Sequence, residues 1–302
     1  MTKIKNNESI HSIQKQAILI LNNASVPNPS LDCDLIMTHV LVKPRVFLYS
    51  HPEALVSKTN AKKIFLLLQK RSQRIPLAYL TGIKNFFNRT FLVNRGVLIP
   101  RPETEHLVTQ ALACLNSLNL KKSISILDIG TGSGCIPLAI ASEWNNSPLA
   151  ITAVDTSQKA VLIARKNYQL FKKNLTPLHH MHIQKISPTQ PYKKRYDLIT
   201  ANLPYLSDQE YICACKYYPE IKKEPRSAFV SDNDGYSDIF KVIRQLPTLL
   251  TKNGHTFFEC STRQEKKISH YIKDHLPEWK WSFIRDNSNK TSILVLTRAV
   301  IF

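Results

Sequence analysis

From Ser9 to Arg74 the apolar residues recur three and four apart: Ile10, Ile13, Ala17 and Leu21, then Leu31, Leu35 and Ile36, then Ile64, Leu67 and Leu68. That period puts them on one face of a helix, and three such stretches predict a small helical domain over residues 1–75. Ser30 behind Pro29 and Thr59 before Asn60 fit helix N-caps, while Pro27, Pro44 and Pro52 punctuate the connections. Between Pro76 and Pro100 the pattern changes. Phe86, Phe87, Phe91, Leu92 and Val93 flank the polar pair Asn88-Arg89, which predicts a β-hairpin linker over 76–100. From residue 101 to 302 strand-like and helix-like segments alternate. Strands are expected at Ile124 to Ile129, Ala150 to Val154, Tyr196 to Ala201, His255 to Cys260, Lys280 to Ile284 and Ser292 to Thr297, with helices at Ile136 to Ser142 and Gln158 to Phe171. Such alternation predicts an α/β domain, a mostly parallel sheet with helices on both faces. The last two strands are joined by a loop too short for a crossover helix and should run antiparallel.

Composition adds limits more than identity. With 302 residues, 43% of them hydrophobic, the chain can build one substantial core and a second, smaller one. The formal charge of +19, from 41 basic and 22 acidic residues, is enough to attract polyanions or the ribosome nonspecifically. The lysines are dispersed in pairs such as Lys62-Lys63 and Lys266-Lys267, so the charge alone does not define a nucleic-acid site. No apolar run approaches the roughly 20 residues that cross a bilayer, and the start leads into no signal-peptide block, so a cytoplasmic protein without membrane contact is expected. The six cysteines are scattered, and Cys213 and Cys215 lack zinc-knuckle spacing; they read as reduced, mostly buried thiols.

Three segments carry chemistry. The first, Leu127-Asp128-Ile129-Gly130-Thr131-Gly132-Ser133-Gly134-Cys135-Ile136, reads as a strand ending in a glycine-rich turn that opens a helix, and it holds three of the seven glycines. Glycine lets backbone approach a ligand closely, and a helix N-terminus offers free N–H groups, so Gly130, Thr131, Gly132, Ser133 and Gly134 are candidate cofactor contacts. The G-x-G-x-G spacing by itself also suits a plain tight turn. The second is Asp155, which ends the next strand, where a carboxylate can accept both hydroxyl protons of a ribose or can cap the following helix. The third is Asn202-Leu203-Pro204-Tyr205, directly after the strand ending at Ala201. Ligands of doubly wound sheets sit at the carboxyl ends of strands, so this turn should face the glycine loop unless it only terminates its strand. An amide nitrogen is a poor nucleophile, and an asparagine oxygen with a neighbouring backbone carbonyl can accept its two N–H bonds and aim it.

Together these segments resemble the class I amino-methyltransferases. Two further stretches, Pro76-Leu77-Ala78-Tyr79-Leu80-Thr81-Gly82 and Ile99-Pro100-Arg101-Pro102-Glu103-Thr104-Glu105, narrow the resemblance to release factor glutamine methyltransferases, as does Glu224-Pro225-Arg226-Ser227-Ala228 with Asp234-Gly235. The resemblance implies a seven-stranded Rossmann-like domain preceded by a helical substrate-recognition domain. It also implies S-adenosylmethionine as cofactor, no metal, and methyl transfer to N5 of the glutamine in the Gly-Gly-Gln motif of peptide chain release factors. By the same resemblance Asn202 and the carbonyl of Leu203 hold the substrate amide, Pro204 shapes the turn, and Tyr205 packs on the planar group. Gly130 to Gly134, Asp155 and Asn202 hold the cofactor.

The chain departs from that pattern in three places, one of them Asp286-Asn287-Ser288-Asn289-Lys290, which only loosely resembles the family's glycine-containing loop and carries a lysine where arginine is usual. Leu203 stands where the family carries a first proline, which keeps the carbonyl but loses the preset φ. After the third strand the family has an acidic and then an aromatic residue near the adenine; here Gln184-Lys185-Ile186-Ser187 occurs, leaving Ser187 as the candidate contact. Rival readings are a ribosomal-protein glutamine methyltransferase, a nucleic-acid adenine N6-methyltransferase, and a catalytically silent S-adenosylmethionine-binding homologue.

Overall fold

Ile10, Ile13, Ala17 and Leu21 are all buried along one face of α1 (Ile10–Asn23), the side their spacing predicts. A computed structural model of the chain describes residues 8–117, 123–177, 179–186, 194–286 and 289–298. These fall into two units, one ending at Ile83 and taking in Tyr218–Lys223, the other holding Lys84–Tyr217 and the residues from Glu224 on.

In the helical unit β1 (Glu8–Ser9) leads into α1, followed by α2 (Pro29–Leu41), α3 (Arg45–Ser50), β2 (Leu55–Val56), α4 (Lys58–Ser72) and α5 (Leu77–Thr81). Two expected caps are displaced. Helix α4 is capped by Ser57, whose hydroxyl accepts from the Asn60 N–H at 3.3 Å, and Thr59 lies inside the first turn. Helix α2 begins at Pro29 behind Asn28, not behind Ser30, because proline at the first helical position has its φ preset and lacks the N–H a cap must satisfy. The core face of α2 is Cys33, Ile36 and Met37, whereas Leu31 and Leu35 remain exposed. Apolar residues occur all round this helix, so spacing alone did not select the buried side. The buried Arg71 donates to Asp32 Oδ2 at 2.6 Å and to Glu220 Oε1 at 2.9 Å, while Arg74 grips Glu220 with two parallel bonds of 2.8 and 2.9 Å. Burial raises the Glu220 pKa, but these guanidinium bonds outweigh it and hold the carboxyl below its ordinary value.

The expected hairpin forms from β3 (Ile83–Phe86) and β4 (Arg89–Leu92). Phe87 and Asn88 between them both take positive φ, 49° and 57°, the conformation a two-residue hairpin turn requires. Phe91 stacks on Phe171 at 4.7 Å, and the buried Asn167 accepts from the Leu92 N–H at 2.8 Å and donates to the carbonyls of Leu92 and Ser133 at 3.0 and 2.8 Å. One side chain therefore ties the hairpin to the glycine loop.

After α6 (Thr104–Ser117) come β5 (Ile124–Ile129), α7 (Cys135–Glu143), β6 (Leu149–Asp155), α8 (Gln158–Phe171), β7 (His180–Lys185) and β8 (Tyr196–Asn202). The chain continues through α9 (Asp208–Tyr217), the single turn α10 (Asp232–Gly235), α11 (Ser237–Leu249), β9 (Leu250–Ser261), α12 (Glu265–His275), β10 (Trp279–Arg285) and β11 (Thr291–Arg298). The seven strands order as β10-β11-β9-β8-β5-β6-β7. Pairs β9-β8, β8-β5, β5-β6 and β6-β7 are parallel, and β11 is antiparallel to both neighbours, to β10 as the short loop between them requires. Apolar clusters cover both faces. One includes Ile199, Ile243, Phe258 and Ile268, the other Leu107, Ile126, Ile140 and Phe257. This is the mostly parallel, doubly covered sheet that the alternation of segments predicts. Among the described residues no helix is long and apolar enough to cross a membrane.

Candidate active site

From β5 the chain steps outward to β6 and β7, then returns to the other side of β5 as β8. The loops leaving β5 and β8 therefore diverge, and a crevice opens at their carboxyl ends. The glycine loop occupies the β5 side. Gly130, Gly132 and Gly134 all have positive φ, 74°, 55° and 80°, which only glycine adopts without cost. Gly134 is the N-cap of α7, and a Cβ on Gly130 would stand 3.2 Å from Leu203 Cδ2 and 3.4 Å from the Asn202 carbonyl oxygen. The loop and the turn after β8 thus lie against one another. Asp155 closes the third side: its Oδ2 accepts from the Gly132 N–H at 2.9 Å and its Oδ1 from the Ser157 N–H at 2.8 Å. The cap of α8 is Ser157, which accepts from the Ala160 N–H at 3.3 Å. Burial raises the Asp155 carboxyl above its ordinary value, and the backbone N–H bonds work against that shift.

A cavity of about 360 Å³ opens between these segments, within the roughly 300–1,000 Å³ of small-molecule sites. Of the residues singled out by sequence, Gly130, Gly132, Asp155, Asn202, Leu203 and Pro204 line it. Thr131, Ser133, Gly134 and Tyr205 are not in its lining, and Ser187 lies outside the described residues. Ile129, Val154, Ala160 and Ile186 add an apolar wall, and Pro225, Ser227 and Ala228, from a stretch that carried the family resemblance, add another. Among the described residues Thr131 Oγ1, Ser133 Oγ and Asp128 Oδ2 are buried with no hydrogen bond of ordinary length, and burial pushes the Asp128 carboxyl up to about 6 while Thr200 and Thr131 favour its anion. A carboxylate beside a loop of small residues and an apolar wall, all lining one cavity, fit S-adenosylmethionine. Asp155 could take the ribose hydroxyls, and the loop could take the methionine end.

Beside the cavity, the Asn202 Nδ2 donates to Thr104 Oγ1 at 3.0 Å, and Tyr205 OH reaches Glu259 Oε1 at 3.4 Å. Glu259 faces Asn202 across the parallel pair of β9 and β8. Burial pushes its carboxyl up to about 7, and the Glu103 charge adds to this while Thr104, Tyr205 and Asn202 favour the anion. The same burial, with Glu259 and Glu103 nearby, holds the Tyr205 phenol protonated. Behind the turn, Gln264 Nε2 donates to the carbonyls of Tyr205 and Gly235 at 3.3 and 3.0 Å. Glu224 accepts from the Ile99 N–H at 3.0 Å and from Arg101 at 2.6 Å, which joins two of the family-like stretches. Sequence reasoning assigned no role to Thr104 or Glu259. A signal for Glu259 was present: it is the one acid in His255-Thr256-Phe257-Phe258-Glu259-Cys260, and a lone charge in a strand that reads as buried is an outlier.

The family model described as PrmC N-terminal domain matches residues 12–82, and that described as Ribosomal protein L11 methyltransferase (PrmA) matches residues 104–205. The release factor glutamine methyltransferase of Shewanella oneidensis is 32% identical over 246 residues, 81% of each chain. That of Buchnera aphidicola subsp. Baizongia pistaciae is 33% identical over 275 residues, 91% of this chain and 92% of the other. Among solved structures, the N-terminal domain of human METTL16 in complex with SAH aligns with a TM-score of 0.51 at 12% identity, covering 86% of this chain and 93% of that one, a likeness of fold. At these identities and this coverage, the chain belongs to the release factor glutamine methyltransferase family.

Proposed function

We infer that the protein transfers a methyl group from S-adenosylmethionine to the side-chain amide nitrogen of the glutamine in the Gly-Gly-Gln motif of peptide release factors. One observation carries the reading: the glycine loop, Asp155 and the Asn202-Leu203-Pro204 turn line a single cavity at the switch point of the sheet. When bound, S-adenosylmethionine supplies a methyl already made electrophilic by its sulfonium, so the protein has chiefly to position and desolvate the nucleophile. Asn202 Oδ1 and the Leu203 carbonyl accept the two N–H bonds of the substrate amide and aim its nitrogen at that methyl. Pro204 shapes the turn, and Tyr205 packs on the planar amide. The helical unit is assigned to recognition of the release factor, on the strength of its match to a family-specific domain. The cytoplasm is the place of action, and the charge of +19 supports a loose, salt-sensitive attraction to the ribosome, where release factors work.

Incubation of the purified protein with labelled S-adenosylmethionine and, separately, release factor, ribosomes or nucleic acid tests the assignment. Label is expected on the release-factor glutamine alone. Label on ribosomal protein or adenine, or none at all, replaces this reading with one of its rivals. Asp155→Ala should weaken S-adenosylmethionine roughly tenfold to a hundredfold in calorimetry, because ribose hydroxyls left unpaired on burial cost about 1–3 kcal/mol. Unchanged affinity in a folded Asp155→Ala protein removes the ribose role.

A further inference from the structure

A hydroxyl that accepts a hydrogen bond must direct its own proton elsewhere, and at Thr104 the direction matters. Thr104 is buried at the first position of α6 and its Oγ1 accepts from Asn202 Nδ2. The acid beside it, Glu259, is also buried; its Oε1 takes a long bond from Tyr205 OH, Thr104 and Asn202 stand close enough to favour its anion, and among the described residues Oε2 has no bond of ordinary length. An ionised carboxylate only accepts. It therefore orients its neighbours in one sense: Thr104 O–H and Tyr205 O–H point towards Glu259, the Thr104 lone pair takes the Asn202 N–H, and Asn202 Oδ1 remains for another donor. A protonated Glu259 can donate, which reverses the Thr104 hydroxyl and lets the Asn202 carboxamide turn over.

We propose that Glu259 is a positioning residue of the methyl-transfer site, which acts through Thr104 to keep the oxygen of the Asn202 carboxamide turned towards the substrate amide. The proposal rests on the substrate role inferred for Asn202. It accounts for a costly feature, since a carboxylate buried this deeply with one oxygen unbonded is destabilising, and a structural role alone would be served as well by an apolar residue. The charged and titratable groups around it are Glu103 ahead of α6, Tyr205 after β8 with Arg101 near its phenol, and Cys260 beside it on β9. Burial, the largest influence, pushes the Glu259 carboxyl up to about 7, so its charge changes near neutral pH. Below that midpoint the network loses its fixed polarity, and the rate should fall as pH falls through it.

Two measurements test this, one of which needs no substrate. In the full-length protein the side-chain NH2 signals of Asn202, assigned by their loss in Asn202→Ala, should titrate through neutral pH and lie flat in Glu259→Gln. With release factor as substrate, Glu259→Gln should lower kcat at least tenfold with KM and S-adenosylmethionine affinity within about twofold of the parent, and the acid limb of the pH profile should vanish. Thr104→Val should reproduce the loss of kcat, and Thr104→Ser should recover most of it; these variants carry the test if Glu259→Gln does not fold. A flat Asn202 signal in the parent, or a Glu259→Gln enzyme with parental kcat and parental acid limb, overturns the proposal. If the parent shows no activity on release factor, the inferred substrate fails, and the Asn202 titration still decides the role of Glu259.

Discussion

Asn202→Ala is expected to lower methyl transfer to release factor by about a hundredfold or more, a loss on the order of 3 kcal/mol of transition-state stabilisation. The side chain lies at the carboxyl end of β8 in the wall of the cavity, with its Nδ2 already given to Thr104, so truncation removes the oxygen that would receive the substrate N–H. Leu203→Pro is the contrasting change. The carbonyl at 203 survives it, the family's proline is restored, and activity should be equal or higher. Calorimetry with S-adenosylmethionine must accompany both, because Asn202 borders the cofactor side of the cavity as well. Parental turnover in Asn202→Ala removes the amide-holding mechanism. An inactive parent rescued by Leu203→Pro instead identifies the natural chain as a silent homologue.

Gly235→Ala should be nearly as damaging, although residue 235 is not in the cavity lining. Gly235 has φ 84°, and a Cβ there would stand 2.2 Å from the Tyr205 carbonyl oxygen and 2.7 Å from its carbonyl carbon. Those are backbone atoms with no rotamer to yield, and Gln264 pins the same two residues from behind. The unfavourable backbone conformation and the overlap together should cost on the order of 2–5 kcal/mol. What moves is the turn carrying Asn202, so the rate should fall with stability. A lower urea midpoint at unchanged slope, together with reduced kcat, is the expected pair of results. Parental stability and rate would mean that the turn relaxes freely and that Gly235 is not its support.

Much of this protein is written locally. The three-and-four spacing of Ile10, Ile13, Ala17 and Leu21 selects the buried face of α1, because a helix repeats every 3.6 residues and only one stripe can face a core. Strand β5 runs from Ile124 to Ile129 and α8 from Gln158 to Phe171, the bounds their apolar patterns predict. The glycine loop, Asp155 and the Asn202 turn could each be identified from a few consecutive residues, since their chemistry depends on which residue ends a strand and which opens a helix. Where patterning was ambiguous, only packing decided. Apolar residues surround α2, so the core chose Cys33, Ile36 and Met37 over Leu31 and Leu35. Long-range partners were invisible for a different reason. Thr104 meets Asn202 across 98 residues and Glu259 meets Tyr205 across 54, because α6 packs against β8 and the sheet places β8 beside β9. Likewise the Tyr218–Lys223 segment joins the helical unit, where Glu220 meets Arg71 and Arg74. Strand order and the burial of unlike charges are properties of the assembled core, and no window of sequence contains both members of such a pair.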